Sequence, residues 1–316
     1  MKIASRPTNR RSPKRIFENV LKSDIARSFL RSKVTILVGC ITLIFVVTAL
    51  FAPWMAPHNP YDPESISVMN SFLPPAWVEG ADIRFILGTD PVGRDVLSAI
   101  IYGTRTSLGI GLASVILAAT VGVTLGLISG YYGGGVDAFI MRIAEIQLTF
   151  PDILIALLVD GIIRSFLGPG HHGNISIFVV ILAISLAYWV HFARVVRATT
   201  LVEKSKDYVN AARIAKKSSV YIMARHLLPN ILGPVLVIAT INLALAIVTE
   251  ATLSFLGLGL PPTQPSLGTL IRVGNDYLFS GEWWIAIVPG AVLAVMGLSV
   301  NLLGDWLRDA LNPKLR

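Results

Sequence analysis

Six stretches of this 316-residue chain, 34–52, 107–130, 138–163, 175–196, 231–248 and 285–303, are dominated by apolar side chains, and each runs to about 20 residues. A helix rising about 1.5 Å per residue needs that length to cross roughly 30 Å of hydrocarbon, and lipid offers no partner to a backbone N–H or C=O. The runs therefore predict an all-α polytopic membrane protein with six transmembrane helices and exclude a soluble enzyme. The charge content agrees, at 15% of the chain where a soluble domain carries about 25%. The run at 138–163 holds Arg142, Glu145, Asp152 and Asp160, and Pro151 within it removes a backbone donor, so a kink is expected there.

Ten Lys and Arg lie between Lys2 and Lys33, just before the first run. That run exceeds the roughly 7 to 15 residues of a signal-peptide core and ends in Pro-Trp-Met-Ala-Pro instead of a small-residue cleavage site, so it reads as a retained span. With the first segment inside, 22 basic residues fall on the cytoplasmic side and five (Arg84, Arg94, Arg105, Arg164 and Arg272) on the other. The positive-inside rule then puts both termini in the cytoplasm, and it accounts for the formal charge of +8 without a nucleic-acid partner. The expected organisation is a basic cytoplasmic segment 1–33, a first span 34–52, a long outer loop 53–106, a core 107–307 with five spans and an inner loop 197–230, and a tail 308–316. A second outer loop, 250–284, is too interrupted by Gly and Pro to be a regular span.

Several motifs reduce to bland readings. Residues 168–173, Gly-Pro-Gly-His-His-Gly, match the dinucleotide fingerprint, but they join two membrane helices instead of a strand and a helix and read as a tight turn. No Gly-Lys dipeptide occurs, so the chain has no P-loop, and ATP falls to a partner. The lone Cys40 allows no intrachain disulfide, and the scattered His and carboxylates form neither a metal set nor a catalytic constellation. Neither a cofactor, a metal nor catalysis is expected in this chain.

Two patterns remain. Gly122, Gly126 and Gly130 continue from Ala118 at four-residue spacing, a small-residue stripe that lets another helix backbone approach closely, in the core or at a dimer interface. Polar groups inside a membrane are costly, which makes Asp152, His191, Asn242 and Glu250 candidates for a translocation pathway; Glu250 and Asp160 lie near span ends that solvent can reach. In the outer loop, Asp90, Gly93, Arg94 and Asp95 read as a structural turn in which Arg94 binds neighbouring chain or a partner.

The inner loop is the most informative segment. From Asp207 the chain has helical periodicity, with Tyr208, Ala211, Ala212 and Ala215 on one face, Ser205 placed to cap the start, and Pro229 marking a break before the fifth span. Such a helix can enter a groove in another protein, with Tyr208 as the larger anchor, or lie flat on lipid.

Asp207-Tyr-Val-Asn-Ala-Ala-Arg-Ile-Ala215 and His226-Leu-Leu-Pro-Asn230 resemble the cytoplasmic loop of bacterial ABC importer permeases. Leu87-Gly-Thr-Asp-Pro-Val-Gly-Arg-Asp95, Leu253-Ser-Phe-Leu-Gly-Leu-Gly259 and Gly304-Asp-Trp-Leu-Arg-Asp-Ala-Leu-Asn-Pro313 narrow the resemblance to the dipeptide/oligopeptide family, in its second, C-type subunit. The resemblance implies the type I ABC importer permease fold in a bacterial inner membrane, with a homologous second permease subunit as heterodimer partner. It further implies two cytoplasmic ATPases that bind ATP and Mg2+, and a periplasmic or lipid-anchored solute-binding protein. The cargo would be a peptide, although relatives carry nickel complexes or glutathione. Asp207, Tyr208, Asn210, Ala211, Ala212, Ala215 and Lys216 then form the ATPase-coupling segment. Asn210, Lys216 and His226 stand where the loop's pattern has Glu, Gly and Ile, and Lys216 predicts a helix that continues or a differently shaped turn. Competing readings are a carrier driven by an ion gradient, which leaves the projecting helix without a task, and an assembly protein of the membrane.

Overall fold

The computed structural model describes residues 28–30, 32–60, 62, 66–167 and 175–311; most of the basic N-terminal segment, the 168–173 turn and the end of the tail lie outside the described residues. Helix α1 spans Lys33–Leu50, α2 Val96–Tyr132, α3 Gly134–Leu148, α4 Asp152–Leu167, α5 Ile175–Glu203, α6 Asp207–Ile214, α7 Leu228–Phe255, α8 Leu267–Asn275 and α9 Trp284–Leu311. Extended pairing among the described residues is limited to one isolated bridge, Thr89 with Asp95.

Helices α1, α2, α5, α7 with the turns before it, and α9 are each long and apolar enough to cross a bilayer. The sixth crossing is not one kinked helix. It is the pair α3 and α4, bent by 97°. Pro151 has no N–H to donate and disfavours helical backbone at Phe150, so α3 ends and α4 restarts at Asp152. Polar contacts place the ends of the pair on opposite faces. Asp137 in the first turn of α3 accepts two hydrogen bonds from Arg197, at 2.5 and 2.6 Å, near the end of α5. Arg164 on α4 donates to the carbonyl of Gly259, beyond the end of α7, at 2.7 Å. Six crossings return the bundle to its starting face, where Phe29 meets Trp306 edge to face at 5.1 Å between ring centres.

Several boundaries differ from the sequence reading. Helix α2 starts at Val96 instead of 107, because Asp95 caps it by accepting from the Ser98 N–H at 2.9 Å; Arg105 hides this first part from a hydropathy criterion. Helix α7 continues to Phe255 and so includes Glu250, and the second outer loop carries α8, closed by a capping box between Ser266 and Thr269. Pro229 breaks nothing. It sits in the first turn of α7, where its missing donor costs little, and one π-helical turn at Met223–Leu227 joins it to the preceding helix.

Helix α5 is the central element, buried along most of its length against α2, α4 and α7. The glycine stripe explains its closest contact. A Cβ on Gly126 would lie 2.6 Å from the carbonyl oxygen of Ala193, one on Gly130 2.7 Å from Thr200 Cβ, and one on Gly122 would collide with the carbonyl of Trp189. The stripe therefore serves the core of this chain, between α2 and α5. In the outer loop, Arg94 is nine-tenths buried and pairs with Asp90 at 2.6 Å while donating to the Pro262 carbonyl at 3.0 Å, so it ties the two outer loops of this chain together. Gly93 turns at φ +83°, where a Cβ would strike the carbonyl of Ser67.

Candidate coupling and translocation sites

The helix expected to project from the inner loop is α6. Its start is not capped by Ser205, whose hydroxyl donates back to Val202; Lys206 holds the N-cap position with no side-chain capping bond, its ammonium pairing with Glu203 instead, and Asp207 suits the first turn. Its end is a Schellman turn. The Lys217 N–H donates to the Ala212 carbonyl at 3.1 Å and the Lys216 N–H to the Arg213 carbonyl at 2.9 Å, with Lys216 at φ +52°. Lys216 thus makes the left-handed turn that glycine makes without strain, and neither expected alternative, a continued helix or another turn shape, is found.

The anticipated single face is divided. Val209 and Ala212 are buried in the chain's own core, with Tyr208 packed against it. Tyr208 donates its hydroxyl to Glu203 Oε2 at 2.6 Å and receives Asn230 Nδ2 at 3.4 Å, so it bolts α6 to the end of α5 and the start of α7. Burial, with the carboxylate of Glu203 opposing a phenolate, pushes the Tyr208 pKa up to about 12. Asn210, Ala211, Ile214 and Ala215 face away from the bundle, with Ile214 83% exposed, while the exposed Arg213 lies over the Tyr131 ring of α2 at 5.5 Å. Periodicity puts Tyr208, Ala211, Ala212 and Ala215 on one face; packing buries Ala212 and leaves Ala211 and Ala215 exposed.

Inside the membrane, three of the four polar candidates meet. His191 Nε2 on α5 lies 3.3 Å from Asp152 Oδ2 at the start of α4, and Nδ1 lies 3.1 Å from Asn242 Oδ1 on α7. Tyr188 stacks on the imidazole at 5.5 Å and reaches the Thr249 hydroxyl at 2.7 Å. Asp152 and His191 keep partial access, with side chains 32% and 23% exposed, whereas Asn242 is buried. Glu250 stands apart. Its carboxyl is fully buried and accepts from the Ser254 hydroxyl at 2.8 Å, so the solvent access expected at a span end is not found and it stands outside the Asp152–His191–Asn242 cluster. Asp160 is also enclosed, paired with Arg164 at 2.7 Å. No group of three or more His, Cys, Asp or Glu among the described residues has the geometry to hold a metal.

A bundle of six crossings with a short lateral helix bolted to one end defines a polytopic membrane subunit in architecture. The family described as binding-protein-dependent transport system inner membrane component matches residues 122–316, and that described as the N-terminal TM domain of oligopeptide transport permease C matches 21–75. The chain belongs to this family of ABC transporter permeases, in its peptide-permease C-type branch. It is 40% identical over 276 residues to the di/tripeptide transport system permease protein DppC of Pseudomonas aeruginosa, covering 87% of this chain and 86% of the relative. It is 38% identical over 281 residues to the dipeptide transport system permease protein DppC of Haemophilus influenzae, covering 89% and 90%. A glutathione transport system permease protein, GsiD of Pectobacterium atrosepticum, is 37% identical over 290 residues, covering 92% and 90%. Among solved structures, the inward-facing MetNI methionine ABC transporter superposes with a TM-score of 0.53 at 19% identity, over 68% of this chain and 96% of that one, which supports the type I importer permease fold. Membership of a binding-protein-dependent family sets the gradient-driven carrier and the assembly protein aside.

Proposed function

We propose that this chain is the membrane permease subunit of an ATP-driven importer of short peptides, lining half of the pathway against a homologous second permease. The observation that carries the reading is the pair of DppC relatives, named for dipeptides and tripeptides and matched over nearly nine-tenths of this chain. A solute-binding protein delivers the cargo outside. Two cytoplasmic ATPases bind ATP and Mg2+, and this chain catalyses nothing itself. Both termini lie in the cytoplasm, as the 22 to five basic asymmetry favours. That orientation puts α6 on the cytoplasmic face, where Ile214, flanked by Ala211 and Ala215, offers an apolar knob for a groove on the ATPase.

The test is uptake of a labelled dipeptide into vesicles carrying the full system. Uptake must require ATP, the binding protein and this chain, and must survive collapse of the proton gradient. Ile214→Asp should leave folding intact and abolish uptake. Transport that persists without ATP sinks the reading. The glutathione reading rests on GsiD alone, and glutathione in the same vesicles decides between the two cargoes.

A further inference from the structure

We infer that the cleft between α3 and α5 and the Asp152–His191 pair beside it form a two-point site for the zwitterion of a short peptide, with Arg194 in the cleft taking the carboxylate and Asp152 next to it the ammonium; this rests on the peptide reading above.

The cleft measures about 460 Å³ and is lined by Met141, Ala144, Glu145, Leu148, Thr149 and Arg194, with Arg197 and Ala198 closing its lower end. Its wall is rigid. Gln147 donates to the carbonyls of Leu186 and Ala187, both at 2.9 Å, and accepts from the indole N–H of Trp189 at 2.9 Å, so the end of α3 is pinned to α5 beside the break. The charges in the cleft are unevenly neutralised. Arg197 is held bidentately by Asp137, and Glu145 shares an exposed 3.8 Å contact with Arg142. Arg194 has no hydrogen bond or ion pair among the described residues, which leaves its planar fork of donors free for a carboxylate.

The complementary acid adjoins the cleft through His191, which lies 3.3 Å from Asp152. His191 precedes Arg194 by one turn of α5, and Asp152 follows Thr149 by three residues across the break between α3 and α4. The Asp152 carboxylate is 32% exposed, and its one ion-pair partner among the described residues is the His191 imidazole. No Lys or Arg pairs with it, so an ammonium can take the second carboxylate oxygen. Behind His191, the buried Asn242 Nδ2 has no hydrogen-bond partner, which leaves a donor unspent at the back of the same cluster. Two extended residues span about 7 Å, which is the reach of a dipeptide between its two charged ends.

The test uses the complete complex, this chain with its second permease and ATPases, in nanodiscs without nucleotide or binding protein. Equilibrium binding is measured for a dipeptide and for its N-acetylated and C-amidated analogues. Each blocked analogue should bind the wild-type complex about tenfold more weakly, the loss of one charge-assisted hydrogen-bond set. Arg194→Gln should weaken the free dipeptide about tenfold and leave the C-amidated analogue unchanged, and Arg194→Lys should recover part of the loss. Asp152→Asn should do the same for the free dipeptide and the N-acetylated analogue. The inference is overturned if either variant weakens all three ligands equally, if neither changes binding, or if the wild-type complex binds no dipeptide while transporting it with its binding protein. Absence of dipeptide uptake by the full wild-type system would instead overturn the peptide reading.

Discussion

Replacing Gly126 by Ala tests whether the small-residue stripe belongs to the core of this chain. An added Cβ would lie 2.6 Å from the Ala193 carbonyl oxygen and 2.8 Å from Val196 Cβ, both well inside the 3.4 Å at which ordinary contact begins. Both neighbours are fixed by the backbone of α5, so the helices must separate. Overpacking of that kind costs about 1 to 3 kcal/mol. Ala also favours a helix over Gly by about 1 kcal/mol, which blurs the single measurement. Gly109 on the same helix removes the ambiguity, because a Cβ there meets nothing within 4 Å. Gly109→Ala gains the propensity and has no clash, so the two variants should differ by about 1 to 3 kcal/mol in unfolding of the purified chain in detergent. Equal stabilities would refute the α2–α5 contact. So would a Gly126→Ala chain as stable as Gly109→Ala that fails only to associate with its partner, since that would move the stripe to the subunit interface.

Lys216→Gly should slow hydrogen exchange across α6, since the left-handed turn costs an L-residue about 1 to 2 kcal/mol and the extra flexibility of glycine returns roughly half of it. Tyr208→Phe should speed exchange in the same helix by releasing the bond to Glu203, worth about 1.5 kcal/mol or more when the acceptor is charged. The Tyr208 pKa is raised in the folded chain from 10.0 to about 12, so the protonated phenol is the stabilising form. Its contribution is complete below pH 10 and is lost as pH rises towards 12; the tyrosinate absorbance gained near the top of that window should fall by one residue's share in Tyr208→Phe. Arg94→Ala leaves the Asp90 carboxylate buried without its cation and unties the Pro262 loop, a loss of about 3 to 5 kcal/mol that should appear as reduced chain in the membrane. Near-normal levels with selective loss of one substrate would instead make Arg94 a ligand.

Where the sequence succeeded and where it stopped follows from the kind of physics each feature uses. A bilayer imposes one requirement on every span, so five of the six runs are recovered as single helices, with ends displaced by caps and charges that hydropathy does not weigh. The sixth fails as one helix because Pro151 acts on geometry: it announces a lost donor, while the 97° corner and the seat of Gln147 against α5 are set by tertiary packing that a local pattern does not carry. Periodicity found α6 and its small residues, but a face with both Tyr208 and Ala212 on it can be spent inward or outward, and the hydroxyl bond to Glu203 is what spends it inward. The polar groups show the limit most sharply. Asp152, His191, Asn242 and Glu250 look alike in the sequence, as costly residues in lipid. Folding then places three of them in contact across α4, α5 and α7 and seals the fourth behind Ser254. Arg194 drew no notice beyond the basic count, because a cation near the cytoplasmic end of a span is expected. Its neighbours make it distinctive: Arg197 one turn away is neutralised by Asp137 while Arg194 is not, and that difference arises from where the corner at Pro151 brings α3 against α5.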